Sequence, residues 1–495
     1  MVQPEKKRNL MALMKRVVYL LMGSFLGLGA LTQCSEDPTG FGSEYLEVNS
    51  WIRNQMANYY YWNYVIPRMS PGNLPPEVFF EEILYELDEF SYITDDAETL
   101  LDELNGSQYA SGFSPAIYQI TGQNLLVMVV KYVYPDSPAD QAGLKRGDLI
   151  VSINDQRLSV TNYQELNALQ GSVSYGLGRY DYDAETETAT ITELDSSVTV
   201  QKQELQLDPV ITSKVIQEGE KSIGYIFYAQ FLTGTADIFL NRLTETIQSL
   251  KDQHVDELII DLRYNPGGRI GAASHFANLL VPSSYIEEKS VFVEFEYNIL
   301  LENYYQTNEG VDSENLFLYF SDASVSMGLD RIYVLTTKQT ASASELLIHG
   351  LKPYMDVITV GSNTLGKYYG SFVITGTFQN PPVYYGILPV TLKYLNANAE
   401  TDFVDGLEAN ISAEENLFNA YPLGDPMDPL VGAAIGHITG QDALAKSRWS
   451  GVESYIPDYR FIPNQKEARQ SSVWFTPSSG FVAPPIRSAS PSSPN

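Results

Sequence analysis

Leu258-Ile259-Ile260-Asp261-Leu262-Arg263-Tyr264-Asn265-Pro266-Gly267-Gly268 decides how this chain is read. Leu258 to Leu262 is an apolar strand, and it runs directly into a turn rich in glycine. A strand this apolar needs cover on both faces, which is the habit of a mostly parallel sheet flanked by helices. Glycine lets a turn aim N–H groups at an anion, and a helix starting at Arg269 would add partial positive charge there. The same residues also fit an ordinary strand-to-helix turn without a ligand. Asp261 and Arg263 read as a structural pair at the strand end.

Working outward, residues 206–425 alternate strands and helices. Strands are expected at Ile223–Tyr228, Ile332–Thr336 and Val357–Val360. Helices are expected at Ala236–Leu250, Ile270–Leu280 and Ser344–Leu351. The first is amphipathic, with Ile238, Leu240, Leu243 and Ile247 on one face. This predicts an α/β core, with a last helix over 426–440. Before it, residues 45–104 read as helical: one helix from an Asn49 or Ser50 cap to about Tyr64, one over Phe79–Leu87, and one from Asp95 or Asp96 to Leu104. From Gly112 to Gln203 the pattern is short strands, with a long hairpin or insertion starting at Tyr175.

Two more segments bring chemistry. Thr340-Ala341-Ser342-Ala343-Ser344-Glu345 is a run of small residues opening a helix. Serine is a weak nucleophile until a neighbour takes its proton, and on chemical grounds either Ser342 or Ser344 would serve. A serine at a helix start is also a common cap. Leu365-Gly366-Lys367 places a lone lysine after a strand. A lysine acts as a base only when neutral, so Lys367 needs a largely dehydrated site that lowers its pKa. The histidines are His254, His275, His349 and His437, none at a metal-ligand spacing. His349 lies nearly two helical turns from Ser342, too far for a hydrogen bond. His275 follows the Gly-Gly turn and stays open as an alternative base.

The three segments together resemble the C-terminal-processing peptidases, serine proteases with a Ser–Lys site and usually a PDZ domain. The resemblance covers roughly residues 110–425. It selects Ser342 as nucleophile, since the family's serine is followed by Ala-Ser-Glu, and Lys367 as its base. It implies an oxyanion hole made by the Ala343 N–H with that of Gly267 or Gly268. Many members carry a glutamine four residues after the lysine to orient it; that position is Ser371, which stands as the third site residue. Asp405-Gly406-Leu407-Glu408-Ala409-Asn410 stands where the family has a Gly-x-x-Pro-Asp turn. Ser137-Pro138-Ala139-Asp140-Gln141-Ala142-Gly143-Leu144-Lys145-Arg146-Gly147-Asp148 and the strand after it resemble the PDZ domain of bacterial proteases, which captures a peptide as an added strand.

The ends differ from the body. Lys6, Lys7, Arg8, Lys15 and Arg16 precede a short apolar run, Val17–Leu31, that stops at Cys34, the lone cysteine. This pattern resembles a bacterial lipoprotein signal, with Cys34 as the lipidated residue. Ser35-Glu36-Asp37 resembles a Bacteroidetes-type surface-export signal. From about Gln470 the chain is rich in serine and proline and is expected to be largely disordered, with Trp474 and Phe475 as docking candidates. The net charge of −30, from 61 acidic and 31 basic residues, argues against nucleic acid as a partner.

The expected organisation is a signal peptide over 1–33, a tether over 34–44 and a helical domain over 45–108. A PDZ-like β-rich domain over 109–205 and an α/β peptidase core over 206–440, of the ClpP/crotonase-like type, follow. The remainder, 441–495, is an extension. The expected function is a serine endopeptidase of the cell envelope, periplasmic or surface-exposed, held at the outer membrane by its lipid. It acts on unfolded or C-terminally presented polypeptides and needs no cofactor or metal. The alternative is a catalytically inactive surface lipoprotein that binds peptides or glycans through the same fold.

Overall fold

The computed structural model describes residues 45–441, apart from Asn73, Ala184, Glu187, Asp322 and 379–380, and beyond them the strands Tyr459–Ile462 and Val473–Phe475. The signal peptide, Cys34 and the tether lie outside the described residues, as does most of the C-terminal extension.

Strand Glu257–Asp261 is buried along its whole length because it is covered on both faces. Leu258 and Ile260 point into a core shared with Leu243 and Ile247 of helix Ile238–Asp252 and with Ala272 and Phe276 of helix Ile270–Leu280. Ile259, one residue out of phase, points to the other face, against Val431 and Ala434 of helix Pro429–Thr439. The sheet has six strands, ordered Val210–Glu218, Lys221–Tyr228, Glu257–Asp261, Arg331–Thr336, Asp356–Gly361 and Ile411–Ser412. The last five run parallel and the first antiparallel.

A second sheet carries the lysine segment. Its order is Phe317–Tyr319, Val291–Tyr297, Val390–Asn396, Tyr369–Phe372 and Val473–Phe475. A third contains the PDZ-like strands, ordered Tyr459–Ile462, Phe113–Ile120, Leu126–Val133, Leu149–Ile153, Ser172–Asp183 and Thr188–Gln201. The last two form the long hairpin expected from Tyr175 onward.

The N-terminal part is less purely helical than expected. Helix Leu46–Tyr59 starts before Asn49, since the Asn49 N–H already bonds the Tyr45 carbonyl, and it ends well before Tyr64. Pro76 opens a helix that stops at Glu82 rather than Leu87. Asp96 caps Ala97–Leu104 through the Thr99 N–H. An unexpected strand, Tyr92–Thr94, pairs with Val383–Leu388 and ties this part to the core.

Candidate active site

The glycine turn, the serine turn and the lysine loop meet at the ends of adjacent strands. Asn265 stitches the first two together. Its side-chain amide donates to the Tyr228 carbonyl (2.8 Å), and its side-chain oxygen accepts from the Gly267 N–H (2.9 Å). Its main-chain carbonyl accepts from the Ala341 N–H (3.1 Å) and from Ser344 Oγ (3.1 Å). Ser344 is therefore a structural serine, which separates it from Ser342. The two turns touch: a Cβ on Gly267 would stand 2.7 Å from Ser342 Cβ and 2.9 Å from the Ala343 nitrogen. At φ +107° that position also favours glycine for its backbone.

Ser342 is the residue before helix Ala343–Leu351 and has φ 63° and ψ −114°, a conformation that a non-glycine residue adopts under strain. It is fully buried, and its Oγ has no hydrogen-bond partner among the described residues. Among these residues the N–H groups of Ala343 and Gly268 likewise lack a partner, whereas the Gly267 N–H is taken by Asn265. Of the three expected oxyanion donors, Ala343 and Gly268 are thus the pair with free hydrogens.

Glu345 joins the serine turn to the lysine segment. This buried carboxylate accepts from the Ser342 N–H (2.7 Å), the Gly366 N–H (2.7 Å), the Lys367 N–H (2.9 Å) and Thr364 Oγ1 (2.6 Å). Burial raises its pKa, against the pull of those four donors. The Tyr394 hydroxyl adds a second tie, 3.2 Å from the carbonyl oxygens of both Ser342 and Lys367. Thr364 is held in turn by the 405–410 segment, through the Leu407 N–H to Thr364 Oγ1 (2.7 Å).

Lys367 is 1% exposed, and burial lowers its pKa from 10.5 to about 7, with Asp88 and Glu345 opposing the fall. Its Nζ lies 4.6 Å from the centre of the Phe90 ring. Asp88 is fixed by the N–H groups of Phe90 and Ser91 (2.9 Å each), by Ser91 Oγ (2.5 Å) and by Tyr60 (2.7 Å). The N-terminal part thus covers the lysine. Ser371 is buried in Tyr369–Phe372, where it pairs with Val390.

His275 Nε2 is engaged with Thr244 Oγ1 (2.8 Å) and the Leu240 carbonyl (3.2 Å), so the alternative base is tied to helix Ile238–Asp252. His349 Nε2 meets the Glu400 carbonyl. No cluster of metal-binding side chains occurs among the described residues. Nor is any helix among them long and apolar enough to cross a membrane.

Behind the glycine turn lies a buried ionic network. Arg263 pairs with Asp261 (2.8 Å), as expected, and with Glu415 (2.9 Å) and Asp428 (2.8 Å). Arg146 joins from the PDZ-like part, at 2.7 Å from Glu415 and 2.9 Å from the Tyr264 hydroxyl. Burial alone would raise the Glu415 pKa, but Arg263 and Arg146 outweigh it and bring it down to about 2.

Sequence reasoning left out Glu345, Thr364, Tyr394, Asp88 and Phe90. The serine-to-glutamate spacing of a capping box pointed to Glu345. Nothing local pointed to the others.

Three family models match this chain. They are peptidase family S41 over residues 222–375, a PDZ domain over 129–173 and the peptidase S41 N-terminal domain over 47–92. A carboxyl-terminal-processing protease of Synechocystis sp. is 26% identical over 310 residues, 62% of this chain and 64% of the relative. The carboxy-terminal processing protease CtpB of Bacillus subtilis is 26% identical over 344 residues, 67% of this chain and 63% of the relative. The chain therefore spans a little under two thirds of these relatives' length. A solved structure from Bacteroides fragilis NCTC 9343, assigned to the S41 proteases, shares the fold with a TM-score of 0.64 at 24% identity. That match covers 83% of this chain and 99% of the other.

Proposed function

We propose, from this chain's membership of peptidase family S41 and its PDZ domain, that it is a serine endopeptidase cleaving unfolded or C-terminally presented polypeptides. The observation that carries the proposal is one carboxylate, Glu345, gripping the backbone of Ser342 and of Lys367, a buried amine with its pKa near neutrality. Neutral Lys367 takes the Ser342 hydroxyl proton as Oγ attacks the peptide carbonyl carbon. The Gly268 and Ala343 N–H groups hold the resulting oxyanion. Lys367 then gives its proton to the leaving amine, and the acyl-serine remains. Water, deprotonated by Lys367, attacks that ester, and Lys367 returns the proton to Ser342 Oγ as the carboxyl product leaves. In the state described here Oγ is sealed and unpaired, so the proton path closes only when the site opens to substrate. Ser371 is the candidate for steadying the lysine from the following strand.

The test uses protein lacking residues 1–34 and an unfolded protein such as reduced, alkylated lactalbumin. The parent should cut it, while Ser342→Ala and Lys367→Ala lose about 10⁴-fold or more in rate though folded. Equal inertness of all three would favour the non-catalytic binding protein. For the cellular setting, the basic leader, the apolar run and Cys34 support an envelope lipoprotein anchored through Cys34. Cys34→Ala should move the protein from the membrane to the soluble fraction and abolish labelling by a radioactive fatty acid; unchanged labelling sinks that part.

A further inference from the structure

Two of the sheets end on strands from the same C-terminal extension, and the mechanism above uses neither. Tyr459–Ile462 pairs antiparallel with Phe113–Ile120, from Tyr459 opposite Ile120 to Ile462 opposite Ile117. Val473–Phe475 pairs in parallel with Tyr369–Phe372, from Val473 beside Gly370 to Phe475 beside Phe372. Each is the terminal strand of its sheet, so without it Phe113–Ile120 or Tyr369–Phe372 would be the edge. A bare edge offers a row of unpaired N–H and C=O groups that takes up extended chain of almost any sequence.

The position of the second edge ties it to the site. Tyr369–Phe372 begins just past Lys367, and the strand added to it also lies against helix Ile270–Leu280, which opens just past the Gly267-Gly268 turn. Val473–Phe475 therefore lies between the strand that follows Lys367 and the helix that follows the glycine turn. The first edge borders Leu126–Val133, within the PDZ-like sheet.

Peptide capture at the first edge is what a PDZ domain does; we propose that segments 459–462 and 473–475 are built-in occupants of the two edges, which an extended substrate displaces on its way to Ser342. The consequence for turnover rests on the peptidase reading; the binding itself does not. Covalent tethering gives such an occupant an effective concentration of about millimolar, so a free peptide meets strong competition at both edges. Main-chain pairing suits an occupant that many unrelated sequences must be able to replace.

The test compares three Ser342→Ala proteins: the intact chain, a chain ending at Gly440, and a full-length chain with Phe461→Pro and Trp474→Pro, which remove one strand N–H from each segment. The probe is a fluorescein-labelled peptide of residues 456–478, followed by anisotropy. The shortened and the proline-bearing proteins should both bind it at least tenfold tighter than the intact chain. Equal affinity in all three, binding by none, or a gain confined to the shortened chain would overturn the proposal. Cleavage of reduced, alkylated lactalbumin by the Ser342 counterparts separates the two readings. Tighter binding without cleavage by any form leaves the edges standing and removes the peptidase. Equal cleavage with equal binding does the reverse.

Discussion

A lysine amine works as a base only while it is neutral, and burial gives Lys367 that state at about pH 7. The rate of cleavage should therefore rise from the acid side through a limb near pH 7 and level off above it. Asp88 carries a negative charge that favours the ammonium form. Asp88→Asn should move the limb to lower pH, measured as kcat/KM against pH; a limb that stays put would show that Asp88 does not act on the lysine. The same burial has a stability side. The unfolded lysine holds its proton up to 10.5 and the folded one only to about 7, so this residue's contribution to stability grows as pH rises across that window. Ser342 and Lys367 stand out in the sequence through a family resemblance, since chemistry alone leaves Ser344 equally open until its hydroxyl is seen bonded to the Asn265 carbonyl. Asp88 and Phe90 do not, since they arrive from a distant segment, and no spacing rule links residue 90 to residue 367.

Turns, more than strands or helices, decide this site. Gly267 leaves no room for a side chain between the two turns, and its N–H is already engaged by Asn265. Gly267→Ala should push Ser342 and the Ala343 N–H out of line and cost about 100-fold or more in rate, the scale of losing an oxyanion donor, with the circular dichroism spectrum unchanged. A variant of near-parental activity would mean the turns yield more freely than their contacts indicate. Helix Ile270–Leu280 was predicted to its exact ends, because a glycine turn precedes it and Pro282 follows. Strand Tyr92–Thr94 was missed because three residues carry no period, and only pairing with Val383–Leu388 makes them a strand. The strands at 459–462 and 473–475 are hidden in the same way: each is only three or four residues long, the second sits in a Ser/Pro-rich stretch, and only pairing makes them strands.

At the scale of the molecule, the PDZ-like part is joined to the core by charge as well as by apolar packing. Arg146 reaches Glu415 and Tyr264, and Arg263 reaches the same Glu415 from the strand end that leads into the glycine turn. Breaking such a buried network leaves unmatched charge, so Glu415→Gln should destabilise the protein by about 3–5 kcal/mol in urea unfolding. The folded pKa of about 2 lies below the ordinary value of 4.5. The Glu415 contribution is therefore complete above pH 4.5 and is lost as pH falls towards 2. The acid-side slope of stability should be shallower in Glu415→Gln than in the parent; identical slopes would assign the loss to other carboxylates. The two-faced α/β core was legible from apolar strands alone. The network was not, because Arg146, Arg263, Glu415 and Asp428 become neighbours only once the chain has folded.

The backbone angles of Ser342 carry one more consequence, in heat rather than in rate. Holding a serine at φ 63° and ψ −114° costs about 1–3 kcal/mol, and glycine adopts that conformation freely. Glycine's extra freedom in the unfolded chain returns about 0.5–1 kcal/mol of this. Ser342→Gly should thus melt slightly higher than the parent while cutting nothing. Glycine at 342 would make a sturdier protein, and on the peptidase reading only the demand for turnover stands against it.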